Sequence, residues 1–76
     1  MRSAKPFAVC VNNTGYEASL ITGKVYRVLR DKRGAKDDLV RIVDETGEDY
    51  LFHKDHFVFV DFPKAVKNRL LALENR

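Results

Sequence analysis

Hydrophobic side chains alternate with polar or small ones in five short runs of the chain, which is the two-residue period of a half-buried β-strand. The alternation predicts strands at Phe7–Val11, Lys24–Arg30, Leu39–Asp44, Asp49–Lys54 and Phe57–Val60. The last four runs carry most of the bulky apolar residues, and polar or glycine-containing breaks separate them. Strands joined by short breaks in this way predict an antiparallel meander.

The breaks contain residues that favour turns. Asn12–Gly15 predicts a corner, because asparagine and glycine tolerate a positive φ. Asp44–Gly47 predicts a hairpin turn in which Gly47 takes the left-handed conformation. The segment Asp31–Asp38 predicts a charged loop, with Gly34 available for the chain reversal.

The period changes to that of a helix over Pro63–Asn75. Val66, Leu70 and Leu73 fall on one narrow face at this period. Since a helix of this length is marginal alone in water, we expect that face to dock on the sheet. Leu71 lies off the face and is a candidate exposed contact.

Length and composition indicate one small globular domain. The 76 residues form a single domain, 1–76, with a barrel over about 6–62 and a helix over about 63–75, and the 45% hydrophobic content argues against disorder. The single cysteine, Cys10, cannot form an internal disulfide and is expected to be a buried, inert thiol. The apolar run after Pro6 is too short for a signal peptide or a membrane span, so we expect a cytoplasmic protein.

Five strands and a terminal helix predict a mainly β fold, a small and partly open antiparallel barrel. The chain contains the pattern Leu20-x-x-Gly23-Lys24-x-Tyr26-x-Val28, followed by a charged loop, Leu39–Val43, Gly47-Glu48-Asp49-Tyr50 and Phe57-Val58. Over roughly Phe7–Val60 this pattern resembles small bacterial proteins of the Src-homology-3-like barrel type, many of unassigned function. The resemblance implies a five-stranded antiparallel Src-homology-3-like barrel with a C-terminal α-helix. Because the chain has no tryptophan, it does not imply recognition of proline-rich ligands.

Motifs for catalysis or for a cofactor are not found in the sequence. It contains no glycine-rich phosphate loop, serine nucleophile motif or cysteine cluster. His53 and His56 form H-x-x-H, but a zinc site needs two further ligands, so we interpret them as solvated or turn-capping histidines. Glu48 and Asp49 are adjacent on a strand and point to opposite faces, which does not suit a pair of catalytic carboxylates. We therefore predict no enzyme, no catalytic or metal-binding residue and no cofactor.

The net charge of +3 is distributed unevenly along the chain. The stretch Lys24–Arg41 contains seven basic residues against three acidic ones, whereas Asp44–Asp49 contains four acidic residues and no basic one. In a meander, successive connections lie at opposite ends of the strands. One end of the sheet is therefore predicted to be basic and the other acidic, a pattern that can steer association with an oppositely charged partner.

Protein–protein interaction is the first functional hypothesis. The face that carries Val25 and Leu29 supplies an apolar centre for a contact if the helix leaves it uncovered. Tyr16 lies in an excursion that either lines a recognition surface or folds over the mouth of the barrel. We expect a monomer or a weak homo-oligomer. No membrane binding is expected, since the helix lacks tryptophan and phenylalanine and its apolar stripe is narrow.

Nucleic-acid binding is the alternative hypothesis. Arg27 and Arg41, with Tyr26 or Tyr50, would neutralise phosphates and stack on bases. The basic loop 30–36 would bind further phosphates. The acidic residues in the same region oppose this, and a solvated loop is the favoured explanation of the charges. The candidate interaction surface for both hypotheses comprises Tyr16, Val25, Arg27, Leu29, Arg30, Lys32, Arg33, Lys36, Arg41 and Tyr50.

Overall fold

The computed structural model describes residues 6–74, so the predicted end of the last helix at Asn75 lies outside the described residues. The strands are β1 (Phe7–Cys10), β2 (Val25–Leu29), β3 (Leu39–Val43), β4 (Asp49–His53) and β5 (Phe57–Val60). The helices are α1 (Lys32–Lys36) and α2 (Lys64–Glu74), and a single 3₁₀ turn spans Lys54–His56. All five predicted strands are confirmed, each within one residue at either end.

The five strands form one antiparallel sheet in the order β4-β3-β2-β1-β5. The predicted meander is confirmed from β2 to β4 and is wrong for β5, which pairs with β1 so that Phe7 lies opposite Val60. The 3₁₀ turn redirects the chain between β4 and β5. The carbonyl of His56, at the end of this turn, accepts a hydrogen bond from the amide of Val11 at 2.8 Å. This contact places β5 beside β1 instead of beside β4.

The core lies on one face of the sheet, because alternate residues of every strand point to the same side. Ile42 at the centre of β3 is fully buried, as is the free thiol of Cys10, which confirms the prediction of a buried cysteine. Leu20, from the connection between β1 and β2, is also fully buried. The buried cluster comprises Ala8, Cys10, Leu20, Tyr26, Val40, Ile42, Phe52 and Phe57, with Val28 and Phe59 packed against it.

The charged segment between β2 and β3 contains the short helix α1, where the sequence predicted a loop that reverses at Gly34. Asp31 caps this helix, since its side chain accepts a hydrogen bond from the amide of Gly34 at 2.8 Å. Gly34 is buried inside the helix, and a Cβ there would lie 3.0 Å from Cδ2 of Leu51. The left-handed residue of the connection is Asp38, with φ 61°. The capping interaction explains why a helical turn forms here in place of a loop.

The predicted docking face of α2 is only partly buried. Leu70 of that face is half-buried, as are Lys67 and Leu71, whereas Val66 and Leu73 are 41% and 57% exposed. The prediction that Leu71 is an exposed contact is therefore wrong. The orientation is set at the start of the helix, where the Phe62 ring packs edge-on against Phe7 with centroids 5.9 Å apart. Within residues 6–74, neither helix combines the length and apolarity needed to cross a membrane.

Candidate interaction surfaces

An open groove of about 520 Å³ lies between α2 and the outer face of β2 and β3, the face opposite the core. We call it the α2 groove and define it by its apolar walls, Val25 and Val43 on the sheet and Leu70 and Leu73 on the helix. Val25 and Val43 share this face because β2 and β3 pair antiparallel with Arg27 opposite Val43. The α2 groove thus separates the apolar stripe of the helix from the apolar outer face of the sheet.

The polar end of the α2 groove is formed by Lys24, Tyr26 and Glu45. The Tyr26 hydroxyl donates to Oε2 of Glu45 at 2.6 Å and accepts from the amide of Ile21 at 2.8 Å, and the Lys24 ammonium also donates to Oε2 of Glu45. The amide of Glu45 donates to the carbonyl of Ser19 at 2.9 Å. These bonds tie the β1–β2 connection to the β3–β4 turn, so this end of the groove is held in place.

The same contacts shift the protonation equilibria of two of these groups. Burial raises the pKa of Tyr26 strongly above its ordinary value, and the hydrogen bond to Glu45 raises it further. The pKa of Glu45 is lowered, first by the hydrogen bond from Lys24 and then by that from Tyr26. Tyr26 is 4% exposed. It therefore cannot stack on a base, and its predicted role in nucleic-acid binding is wrong.

Arg27 lines the α2 groove on the sheet side and is half-buried. Its Nη1 donates to the carbonyl of Val28 at 2.8 Å and to that of Pro6 at 3.4 Å, and its guanidinium lies 5.9 Å from the centroid of the Phe7 ring. Leu29, the other member of the predicted apolar face, is half-buried opposite Arg41 and does not line the groove. Of the predicted face, the groove therefore includes Val25 and Arg27 and leaves Leu29 out.

Arg41 lies on the same outer face of the sheet but between two carboxylates. Its Nε donates to Oδ2 of Asp31 at 2.8 Å and its Nη1 donates to Oδ2 of Asp49 at 2.9 Å. The hydrogen bond to Asp31, followed by that to Asp49, raises the pKa of Arg41. The amide of Gly34, followed by Arg41, lowers the pKa of Asp31. Both carboxylates offset the charge of Arg41, so its predicted contribution to phosphate binding is not supported by its surroundings.

Four basic residues on and beside α1 project into solvent at the end of the sheet. We call this cluster the basic pole, which comprises Arg30, Lys32, Arg33 and Lys36. Within residues 6–74, none of the four forms an ion pair. A neighbouring acidic residue, Asp38, pairs instead with Lys54 at 3.2 Å.

The contacts of the two exposed candidate tyrosines are made with residues outside the basic pole. Tyr16 is 39% exposed, and its ring packs edge-on against Phe52 and His56 with centroids 5.0 and 5.1 Å away. It therefore covers one margin of the core while leaving part of its surface in solvent. Tyr50 is 49% exposed at the acidic turn, where its hydroxyl donates to Oε1 of Glu48 at 2.8 Å. A surface that combines the basic loop with these aromatic rings stays a prediction.

The two histidines have local partners. His56 donates from Nδ1 to the carbonyl of Asn12 at 2.6 Å, and Nδ1 of His53 accepts from the amide of Asp55 at 3.3 Å. Between Pro6 and Glu74, no three histidine, cysteine or acidic side chains are grouped as metal ligands. Both histidines therefore act locally, in and beside the 3₁₀ turn.

Sequence reasoning missed the helical wall of the α2 groove and the helix under the basic pole. The first depends on how far α2 is rotated, and the helical period alone carries no signal for that. The helix under the basic pole had a signal in the sequence, because aspartate is a preferred N-cap residue and Asp31 directly precedes Lys32. No family model, curated protein or solved structure matches the chain.

Proposed function

We propose that this protein is a non-catalytic binding module of the Src-homology-3-like barrel type and that the α2 groove binds a segment of a partner protein. Two features support the barrel type. β1 lies between β2 and β5 in the strand order, and a 3₁₀ turn joins β4 to β5. The single, fully buried Cys10 suits a reducing compartment and so supports a cytoplasmic location. We propose that the protein is a monomer or a weak homo-oligomer.

The observation that carries the proposal is the incomplete burial of the apolar stripe of α2. Val66, Leu70 and Leu73 repeat at helical spacing, yet Val66 and Leu73 are 41% and 57% exposed. A short helix in water depends on burying such a stripe. Here Leu70 and Leu73 face Val25 and Val43 across an open space. An apolar partner segment that filled this space would bury both walls at once.

The size of the effect follows from Leu73. Full burial of a leucine side chain is worth about 1.5–3 kcal/mol, and the exposed 57% of this residue is available to a partner. Burial of that part contributes about 1–1.5 kcal/mol, which corresponds to about tenfold in affinity. The fixed polar end, Lys24 with Glu45, would set the orientation of the bound segment.

The test is affinity capture from nuclease-treated extracts of the native host with the full chain, followed by mass spectrometry. We compare the unmodified protein with Leu73→Glu, which puts a charge in the groove, and with Ala72→Glu. Ala72 is exposed beside Leu73 on the same helix and does not line the groove, so this control changes charge and helix composition in the same way.

We expect one protein to be retained by the unmodified chain and by Ala72→Glu and to be lost with Leu73→Glu. Isothermal titration with that protein should then give an affinity about tenfold weaker for Leu73→Ala. An identical set of retained proteins for all variants would refute the groove as the binding site. Because both positions are exposed, we expect the variants to have equal urea midpoints, and that result would establish that the fold is retained.

A further inference from the structure

Two of the three acidic residues near the basic pole are engaged by other groups. Asp31 caps α1 and accepts from Arg41, and Asp38 pairs with Lys54. Asp37 is the one acidic residue between positions 30 and 38 that takes part in no ion pair within residues 6–74. The exposed charge of the basic pole is therefore four cations against one carboxylate. The sequence, in which three carboxylates oppose these cations, understates this imbalance.

Helix α1 holds the cations of the basic pole in a defined arrangement. Lys32 and Lys36 are four residues apart, so they project from one side of the helix about one turn, or 5.4 Å, from each other. The helix is fixed by the cap at Asp31 and by Gly34, which packs too closely against Leu51 to carry a Cβ without displacing it. A fixed backbone reduces the conformational entropy that is lost when a ligand binds.

The chemistry of the basic pole favours a hydrophilic polyanion. Alanine is the bulkiest apolar residue between positions 30 and 38, so no side chain there can insert into a lipid bilayer, and a protein partner would find no apolar centre. A nucleic-acid backbone needs only cations, and phosphate contacts carry no sequence information. We propose that the basic pole binds the phosphate backbone of a nucleic-acid strand through Arg30, Lys32, Arg33 and Lys36, without base stacking.

The salt dependence of binding tests the proposal. Fluorescence anisotropy of a labelled single-stranded oligothymidine, titrated with the full chain, measures affinity from 50 to 200 mM salt. With four phosphate contacts and about 0.7 counterions released per contact, affinity should fall about 50-fold over this range. The double variant Lys32→Ala/Arg33→Ala should bind more weakly at low salt, and its affinity should fall only about sevenfold.

The matched control is Lys64→Ala/Arg69→Ala, which removes the same charge from exposed positions on α2. It should keep the 50-fold salt dependence. Equal weakening by both double variants would overturn the proposal, because the effect would then come from net charge alone. No binding at 50 mM salt, or binding of polyglutamate or of phosphatidylserine vesicles as tight as that of the oligonucleotide, would also overturn it.

The proposal for the α2 groove and the proposal for the basic pole can be refuted independently. Leu73→Glu lies in the α2 groove and should leave oligonucleotide affinity and its salt dependence within twofold of the unmodified chain. Loss of oligonucleotide binding in Leu73→Glu would contradict the assignment to the basic pole.

Discussion

Removal of the Tyr26 hydroxyl should destabilise the fold by about 2 kcal/mol. The hydroxyl donates to Glu45 at 2.6 Å and accepts from the amide of Ile21 at 2.8 Å. Tyr26→Phe removes both bonds and leaves the ring against Phe57. A hydrogen bond to a charged group is worth about 1.5–3 kcal/mol. The lower end applies here, because the Glu45 side chain is 27% exposed and keeps Lys24 as a partner. The bond from Ile21 adds about 0.5 kcal/mol, since water reaches this exposed turn.

Urea unfolding followed by far-ultraviolet circular dichroism measures this loss. With a slope of about 1 kcal/mol/M for so small a protein, the midpoint of Tyr26→Phe should fall by about 2 M. Tyr50→Phe is the control, because it removes a hydroxyl that bonds Glu48 at an exposed position. Its midpoint should not change. Equal midpoints for the two variants would refute the inference that the Tyr26 bonds hold the β1–β2 connection to the β3–β4 turn.

A double-mutant cycle assigns part of the loss to one contact. Glu45→Gln combined with Tyr26→Phe should show a coupling free energy of about 1 kcal/mol, because each single change already removes the charge-assisted bond between them. Additive effects would show that the two side chains act independently, contrary to the geometry.

Three further predictions concern pH, a turn and a cap. Burial raises the pKa of Tyr26 in the folded protein, so as the pH rises the unfolded chain loses its phenolic proton first. The free energy of unfolding should therefore fall above pH 10.0, and it should fall less in Tyr26→Phe. Equal pH profiles of the two proteins in urea titrations would contradict this. Gly47→Ala should lower the free energy of unfolding by about 1 kcal/mol and the thermal midpoint by about 5 °C. The cause is the positive φ of 85°, since a Cβ at this position would meet no neighbouring atom. An unchanged midpoint would show that the turn relaxes to accept alanine. Asp31→Ala should lower the urea midpoint and speed amide exchange in α1, because it removes both the helix cap and a partner of Arg41. Asp31→Asn can still cap the helix and should have a smaller effect. Equal effects of the two variants would assign the loss of stability to the ion pair alone.

The distribution of charge could be predicted from the sequence only in part. The run of basic residues from Arg30 to Lys36 could be read directly, and so could the acidic turn at the other end of β3. The sequence could not show that Arg41 is held by Asp31 and Asp49, since the three belong to different elements. Nor could it show that these pairings strengthen the basic pole.

The aromatic residues were misassigned for a related reason. Arg27 and Tyr26 are neighbours in sequence, so on a strand their side chains point to opposite faces of the sheet. This alternation already argues against one surface that contains both. The burial of Tyr26 beneath Glu45 depends on the β3–β4 turn, which lies nineteen positions further along the chain.

By itself, the sequence determined where the strands lie, which residues of a strand share a face and where Gly47 turns the chain, because a two-residue period and a positive φ are local properties. Tertiary structure alone decided that β5 pairs with β1, which carboxylate each cation meets, and that the rotation of α2 leaves Leu73 over an open groove. Each of these depends on distances between segments far apart in the chain. Those distances are set by the packing of the whole core, and no local pattern encodes them.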